Sequence, residues 1–333
     1  MNDHSPNNVR VEAISACPVC NSPRRKRLCG GRDRLYGTTD ERFEYVRCKA
    51  CKVCYQSRRP VESDIPNCYP ADYGPYQSHG GGGPGARPRS LRLASKAAKV
   101  INRPFEWRFS DPVRRLVDHI YAPPRPGAVL LDFGCGSERF LDNAKAKGWK
   151  TVGVDFVPGV IDQVRAAGHE AHLVGEDFWR GFPRASVDLI RLNHVVEHLY
   201  RPLDDLERLR TILRPGGMLH LATPNSASLT FAMMGERWFS LDCPRHIVIY
   251  SPRSLRAALL RLGFASVDCV QEVLTKDAVR SAAYWFADRG KFDPRAVMDL
   301  QNDPELGRLF YAPARIAAAL GRADRFHAVA RAA

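Results

Sequence analysis

The chain has 333 residues, 44% of them hydrophobic and 26% charged, the balance of a folded globular protein with room for one large and one small domain. No run approaches the ~18 apolar residues of a membrane helix, and the start MNDHSPNNVRVEAI lacks the basic-then-apolar pattern of a secretory signal, so a cytoplasmic protein is expected. The net charge of +14 is uneven: residues 1–128 carry 23 Lys/Arg against 12 Asp/Glu, and residues 129–333 carry 27 against 24. That basic excess favours a polyanionic partner such as a nucleotide-activated substrate, anionic lipid headgroups or RNA; a solubilising surface is the plain alternative.

Six of the ten cysteines precede residue 60. Cys17-Pro-Val-Cys20 and Cys48-Lys-Ala-Cys51 are two C-x-x-C pairs with 27 residues between them. Each pair suits a tight turn with both sulfurs inward, and two such turns supply the four thiolates of a tetrahedral zinc site. A unit this small buries too little apolar surface to fold alone, so the metal would carry much of its stability. Unrelated thiols or a redox pair are the alternative. Four thiolates leave no open position, so such a zinc is structural. Residues 1–60 are therefore expected as a zinc-ribbon-like module, residues 61–103 as a linker containing HGGGGPGARPRS (79–90), and residues 104–333 as the main domain.

A helical pattern over 104–121 leads into strict alternation. Strands are expected at 129–134, 151–156, 170–175, 187–194, 218–225, 265–273 and 325–333. Helices are expected at 138–147, from Pro158 to Gly168, at 203–213 and from Ser251-Pro252 to Leu262, with helical additions over 275–320. The fold class is α/β: a doubly wound, mostly parallel seven-stranded sheet with helices on both faces.

In such sheets ligands bind beyond the carboxyl ends of the central strands. The first of these strands ends in LLDFGCGSERFL (130–141), where Asp132 precedes the turn Gly134-Cys135-Gly136 and a helix starts at once. Glycine keeps side chains out of a ligand's way, and the free N–H groups of the helix start favour an anionic group. Asp155, 23 residues after Asp132, ends the second strand, where a carboxylate can accept from both ribose hydroxyls. A nicotinamide dinucleotide would want a third glycine where Arg139 stands, and little charge before the first. S-adenosylmethionine fits better: its ammonium suits Asp132 and its carboxylate suits the loop amides.

These stretches, with VGVDF (152–156), VGEDF (174–178), VDLIRLNHVVEHL (187–199) and LRPGGMLHLATPN (213–225), resemble the class I S-adenosylmethionine-dependent methyltransferases over about residues 125–275. The resemblance implies a Rossmann-like methyltransferase fold. It implies cofactor contacts from Asp132, Gly134, Cys135, Gly136, Asp155, Phe156, Glu176, Asp177, Asn193 and His194. The departure is Glu138, where the family places a third glycine; it either points outward and favours the helix start or crowds the pocket.

Methyl transfer is an in-line displacement that needs an aligned acceptor, and a hydroxyl acceptor also needs a base. The stretch RWFSLDCPRHIVIYSPRSL (237–255) resembles bacterial methyltransferases with an N-terminal zinc-ribbon-like segment, many associated with glycan or lipid modification. By that resemblance His246 is the candidate base, and Arg245, Tyr250 and Trp238 are candidate acceptor-binding groups. The plain alternative for His246 is a packing or capping role, and Glu197 and His198 are read as structural or cofactor-lining. The expected function is transfer of a methyl group to oxygen, with carbon second, of a sugar-, glycan- or quinone-like acceptor. One alternative is RNA base methylation, with Arg24-Arg25-Lys26-Arg27 meeting phosphates. Another is a zinc-dependent binding module whose methyltransferase domain has lost the cofactor through Glu138.

Overall fold

The computed structural model describes residues 9–70, 89–107, 112–290 and 302–333. Two compact units are present, one of residues 1–112, 224–251 and 271–326, the other of 113–223, 252–270 and 327–333. The N-terminal strands are β1 (Val11–Ala13), β2 (Arg25–Gly31), β3 (Phe43–Cys48) and β4 (Cys54–Pro60), followed by helices α1 (Arg89–Trp107) and α2 (Pro112–Ile120). Next come β5 (Val129–Phe133), α3 (Arg139–Ala146), β6 (Lys150–Asp155), α4 (Pro158–Ala166), β7 (Glu170–Leu173), α5 (Glu176–Gly181), β8 (Val187–Asn193), α6 (Pro202–Ile212) and β9 (Leu213–Pro224). The remainder is α7 (Leu229–Met234), β10 (Val248–Ile249), α8 (Pro252–Arg261), β11 (Phe264–Glu272), α9 (Lys276–Ala287), α10 (Pro304–Ala319) and β12 (Arg325–Ala332).

The seven-stranded sheet has the order β11-β12-β9-β8-β5-β6-β7. Strands β5 to β9 pair in parallel, as their long apolar runs and intervening helices require. Leu130 and Leu131 of β5 and Leu189 and Ile190 of β8 have no exposed surface. Leu130 and Leu189 share a core with Leu141 and Ala144 of α3 and with Val160, Ile161 and Val164 of α4. Each large aliphatic side chain buried here contributes roughly 1.5–3 kcal/mol. Prolines at the first turns of α4, α6 and α10 fix helical φ where no N–H is needed. Strand order reverses between β5 and β8, and that switch point is where such sheets leave a crevice.

Three details depart from the sequence expectation. The Arg214-Pro215-Gly216-Gly217 turn is an irregularity inside β9, because the partner of Val187 is Leu213 and the partner of Leu189 is Met218. Helix α5 occupies 176–181, where no helix was expected. The expected linker contains a 3-10 helix, Glu62–Cys68, and most of α1; its glycine-rich centre lies outside the described residues, as does part of the helical stretch over 275–320.

The cysteine-bearing strands form an antiparallel sheet in the order β1-β4-β3-β2, and β10 also joins β4, with Val248 opposite Tyr55 and Ile249 opposite Cys54. The unit that holds the cysteines thus also takes in residues 224–251.

Candidate active site

The glycine turn after β5 is built by backbone constraint. Gly134 has φ +74°, and a Cβ there would lie 2.5 Å from Val195 Cγ2. Gly136 has φ +65°, and a Cβ there would meet nothing within 4 Å, so open space lies over this peptide. Gly134 N and Cys135 N both donate to Val154 O, at 2.7 and 3.1 Å, which ties the turn to β6. Gly136 N donates to Asp155 Oδ2 at 2.9 Å, and Val157 N donates to Asp155 Oδ1 at 3.0 Å. Burial raises the Asp155 carboxyl above its usual value, and those N–H groups act against the rise. Phe156, next in the chain, is 52% exposed and meets Phe133 edge-on at 5.7 Å. Glu176 and Asp177 lie exposed in the first turn of α5, and Glu176 accepts from Arg208.

The neighbouring strand β8 ends in Asn193. His194 then takes φ +58° and donates its backbone N–H to Ala222 O at 2.8 Å. Its Nδ1 lies 3.1 Å from Glu197 Oε1, and Thr223 donates to the other oxygen of this fully buried carboxylate at 2.9 Å. Asp132 has no exposed surface, and both its oxygens accept from Arg191 Nη1, at 2.8 and 2.9 Å. Glu138 points along the surface, where Gln163 Nε2 donates to it. It therefore does not point into the turn.

The second set of expected site residues lies in the other unit. His246 is buried, with Nδ1 2.8 Å from Ser240 O. A carbonyl can only accept, so Nδ1 carries a hydrogen, and Nε2 is 3.8 Å from Asp242 Oδ2. The His246 carbonyl accepts from Tyr45 Oη at 3.1 Å and from Gln56 Nε2 at 2.9 Å. Arg245 is 1% exposed, and its guanidinium donates to Asp33, Asp242 and the Cys68 carbonyl. Trp238 stacks on Phe231 at 4.8 Å and donates from Nε1 to Asp324 Oδ1 at 2.8 Å. Tyr250 is fully buried. The sequence reading missed Tyr45 and Gln56, whose contacts with the 240–250 loop join residues about 200 positions apart.

The four cysteines converge. Cys17, Cys20, Cys48 and Cys51 place their sulfurs within 4.8 Å of one another. The Cys17–Cys51 and Cys20–Cys48 separations are 3.6 and 3.5 Å. A tetrahedral zinc with bonds of ~2.3 Å sets its sulfurs roughly 3.8 Å apart, so this donor set fits that ion. Each pair sits on the same knuckle: Asn21 N donates to Cys17 O and Lys52 N to Cys48 O, with Asn21 at φ +55° and Lys52 at φ +66°.

Residues 105–269, which hold the glycine turn, Asp155 and the end of β8, match the family model of a methyltransferase domain. This segment has the Rossmann-like fold of a methyltransferase domain. Curated relatives resemble part of this chain. A malonyl-[acyl-carrier protein] O-methyltransferase of Serratia marcescens is 30% identical over 129 residues, 38% of this chain and 49% of the relative. A tRNA U34 carboxymethyltransferase of Shewanella loihica is 29% identical over 197 residues, 56% of this chain and 58% of the relative. A ubiquinone biosynthesis O-methyltransferase of Cereibacter sphaeroides is 30% identical over 131 residues, 37% of this chain and 52% of the relative. The chain spans about half the length of the curated relatives it matches. Among the described residues no helix is long and apolar enough to cross a membrane.

Proposed function

We propose that this chain transfers a methyl group from S-adenosylmethionine to oxygen, with carbon second, of a sugar-, glycan- or quinone-like acceptor. The observation that carries the reading is the open space over Gly136 beside the Asp155 carboxylate, inside the segment that matches a methyltransferase domain. Bound there, the cofactor would supply an electrophilic methyl group. The Gly136 turn would meet its amino-acid end, Asp155 would accept from its ribose hydroxyls, and exposed Phe156 with Glu176 and Asp177 would meet its base. His194 and Asn193, at the end of β8, complete the proposed contacts.

His246 is the proposed base. In the neutral ring the Ser240 carbonyl fixes the tautomer with Nε2 basic, the arrangement that proton abstraction from a hydroxyl requires. In this reading Arg245, Tyr250 and Trp238 shape the loop that presents His246, through buried packing and the Asp33–Arg245–Asp242 ion pairs. The four cysteines hold a zinc ion whose filled coordination shell makes it structural.

Transfer of radiolabelled methyl from S-adenosylmethionine, tested across diphosphate sugars, quinols and tRNA, distinguishes the acceptors. Label on a small hydroxylated acceptor, lost in His246→Ala while affinity for S-adenosylhomocysteine is retained, is the expected result. A second reading, RNA methylation, is favoured by the exposed run Arg24, Arg25, Lys26 and Arg27 on β2 and its approach. Label on tRNA alone, with a binding constant that falls steeply with salt, would replace the small-acceptor reading.

A further inference from the structure

A polar row crosses the interior of the parallel sheet. Asp132 on β5 is in register with Arg191 on β8, and Arg191 is in register with His220 on β9. His220 Nε2 lies 2.9 Å from Nδ1 of His327 on β12, the two rings stacked at 5.2 Å. Tyr121 Oη closes the row, 2.6 Å from His220 Nδ1. The Arg191 guanidinium also lies 3.8 Å over the Phe140 ring. One residue to either side, the same strands carry Leu131 and Phe133, Ile190 and Leu192, all without exposed surface.

Burying such a row does little for stability. An ion pair taken out of water gains little over well-packed apolar groups of the same volume. The location is the informative feature. Asp132 stands two residues before Gly134, and the carboxylate that a cofactor ammonium would seek is engaged by Arg191 instead.

We propose that Arg191 is a positioning residue of the cofactor site: paired with Asp132 across adjacent strands, it compensates that buried carboxylate and withdraws it from the ligand, leaving Asp155 as the acid that meets the cofactor. The inference rests on the cofactor reading above. Besides Arg191, the groups bearing on Asp132 are Asp155 on β6, Tyr121 after α2 and Cys135 in the turn itself. None of these supplies a second cation. Without Arg191, an ionised Asp132 is left buried and uncompensated, and its titration moves towards neutral pH.

The test is a cycle of calorimetric titrations of the full chain with S-adenosylhomocysteine, using Arg191→Met, Asp132→Asn and the double variant, with melting curves as the check on folding. Arg191→Met should bind about tenfold more weakly at about pH 8 and recover part of that loss at about pH 6, while the wild type changes little. The double variant should return to within about threefold of wild type, because the two losses share one cause. A double variant no tighter than either single variant would show Asp132 acting on the ligand directly and would overturn the proposal, as would wild-type affinity in Arg191→Met at both pH values. If Arg191→Met does not fold, the double variant must still bind within about threefold of wild type, and a larger loss in a folded double variant would overturn the proposal. Absence of heat from the wild type would instead sink the cofactor reading beneath it.

Discussion

Gly134 and Asp324 make opposite demands of a single side chain. Gly134→Ala would force a side chain into the left-handed region and onto Val195. Together these cost about 2–4 kcal/mol, so the variant should melt earlier and lose affinity for S-adenosylhomocysteine. Asp324 is buried, its carboxyl raised to about 6 first by burial and then by Asp277, with Trp238 and Thr230 donating to it. A carboxyl whose folded value lies above its unfolded one is stabilising while protonated, and that contribution fades as pH rises through about 6. Asp324→Asn should therefore flatten the fall in wild-type stability between about pH 4 and about pH 7, a difference of about 2 kcal/mol in urea melts. A fall of equal size in both proteins would assign it to another group. Gly134 was legible in the sequence because a turn residue declares itself locally. Arg191 and His220 were not: each sits in an apolar run, and what each meets lies on another strand.

At the scale of elements, the cysteine strands and the 240–250 loop share one sheet. Strand β4 begins at Cys54, three residues after the last cysteine of the cluster, and pairs at once with β10. Gln56 N donates to Ile247 O at 2.9 Å, and the Gln56 side chain reaches the Pro244 and His246 carbonyls. If the four cysteines hold a metal, removing it with a chelator should raise hydrogen exchange in peptides spanning 43–60 and 240–250 together, while peptides spanning 129–155 keep their protection. Exchange confined to the cysteine segment would show that the metal does not order the His246 loop. The C-x-x-C spacing announced the cluster, and the alternation of apolar runs with helix signals announced the parallel sheet. The pairing of β10 with β4 had no such mark, because it joins residues nearly 200 positions apart and β10 is only Val248–Ile249. Helix α5 was hidden for a related reason, since six residues are too few to show a helical period.

For the molecule as a whole, charge and chemistry are unevenly divided. Residues 1–128 carry most of the net charge of +14, and Arg24 to Arg27 are exposed. If those four cations meet phosphates, replacing them with serine should reduce the salt slope of tRNA binding by about 3, at ~0.7 per contact on a single strand. An unchanged slope would leave the run as a solvated face. The methyltransferase domain poses the larger question, whether its glycine turn and Asp155 hold the adenosyl sulfonium. Calorimetric titration of the full chain with S-adenosylhomocysteine, wild type against Asp155→Ala, tests that most directly. Saturable one-to-one binding by the wild type, weakened at least about a hundredfold in Asp155→Ala, is the predicted result. No binding by a folded wild type, or equal binding by the two proteins, would contradict it.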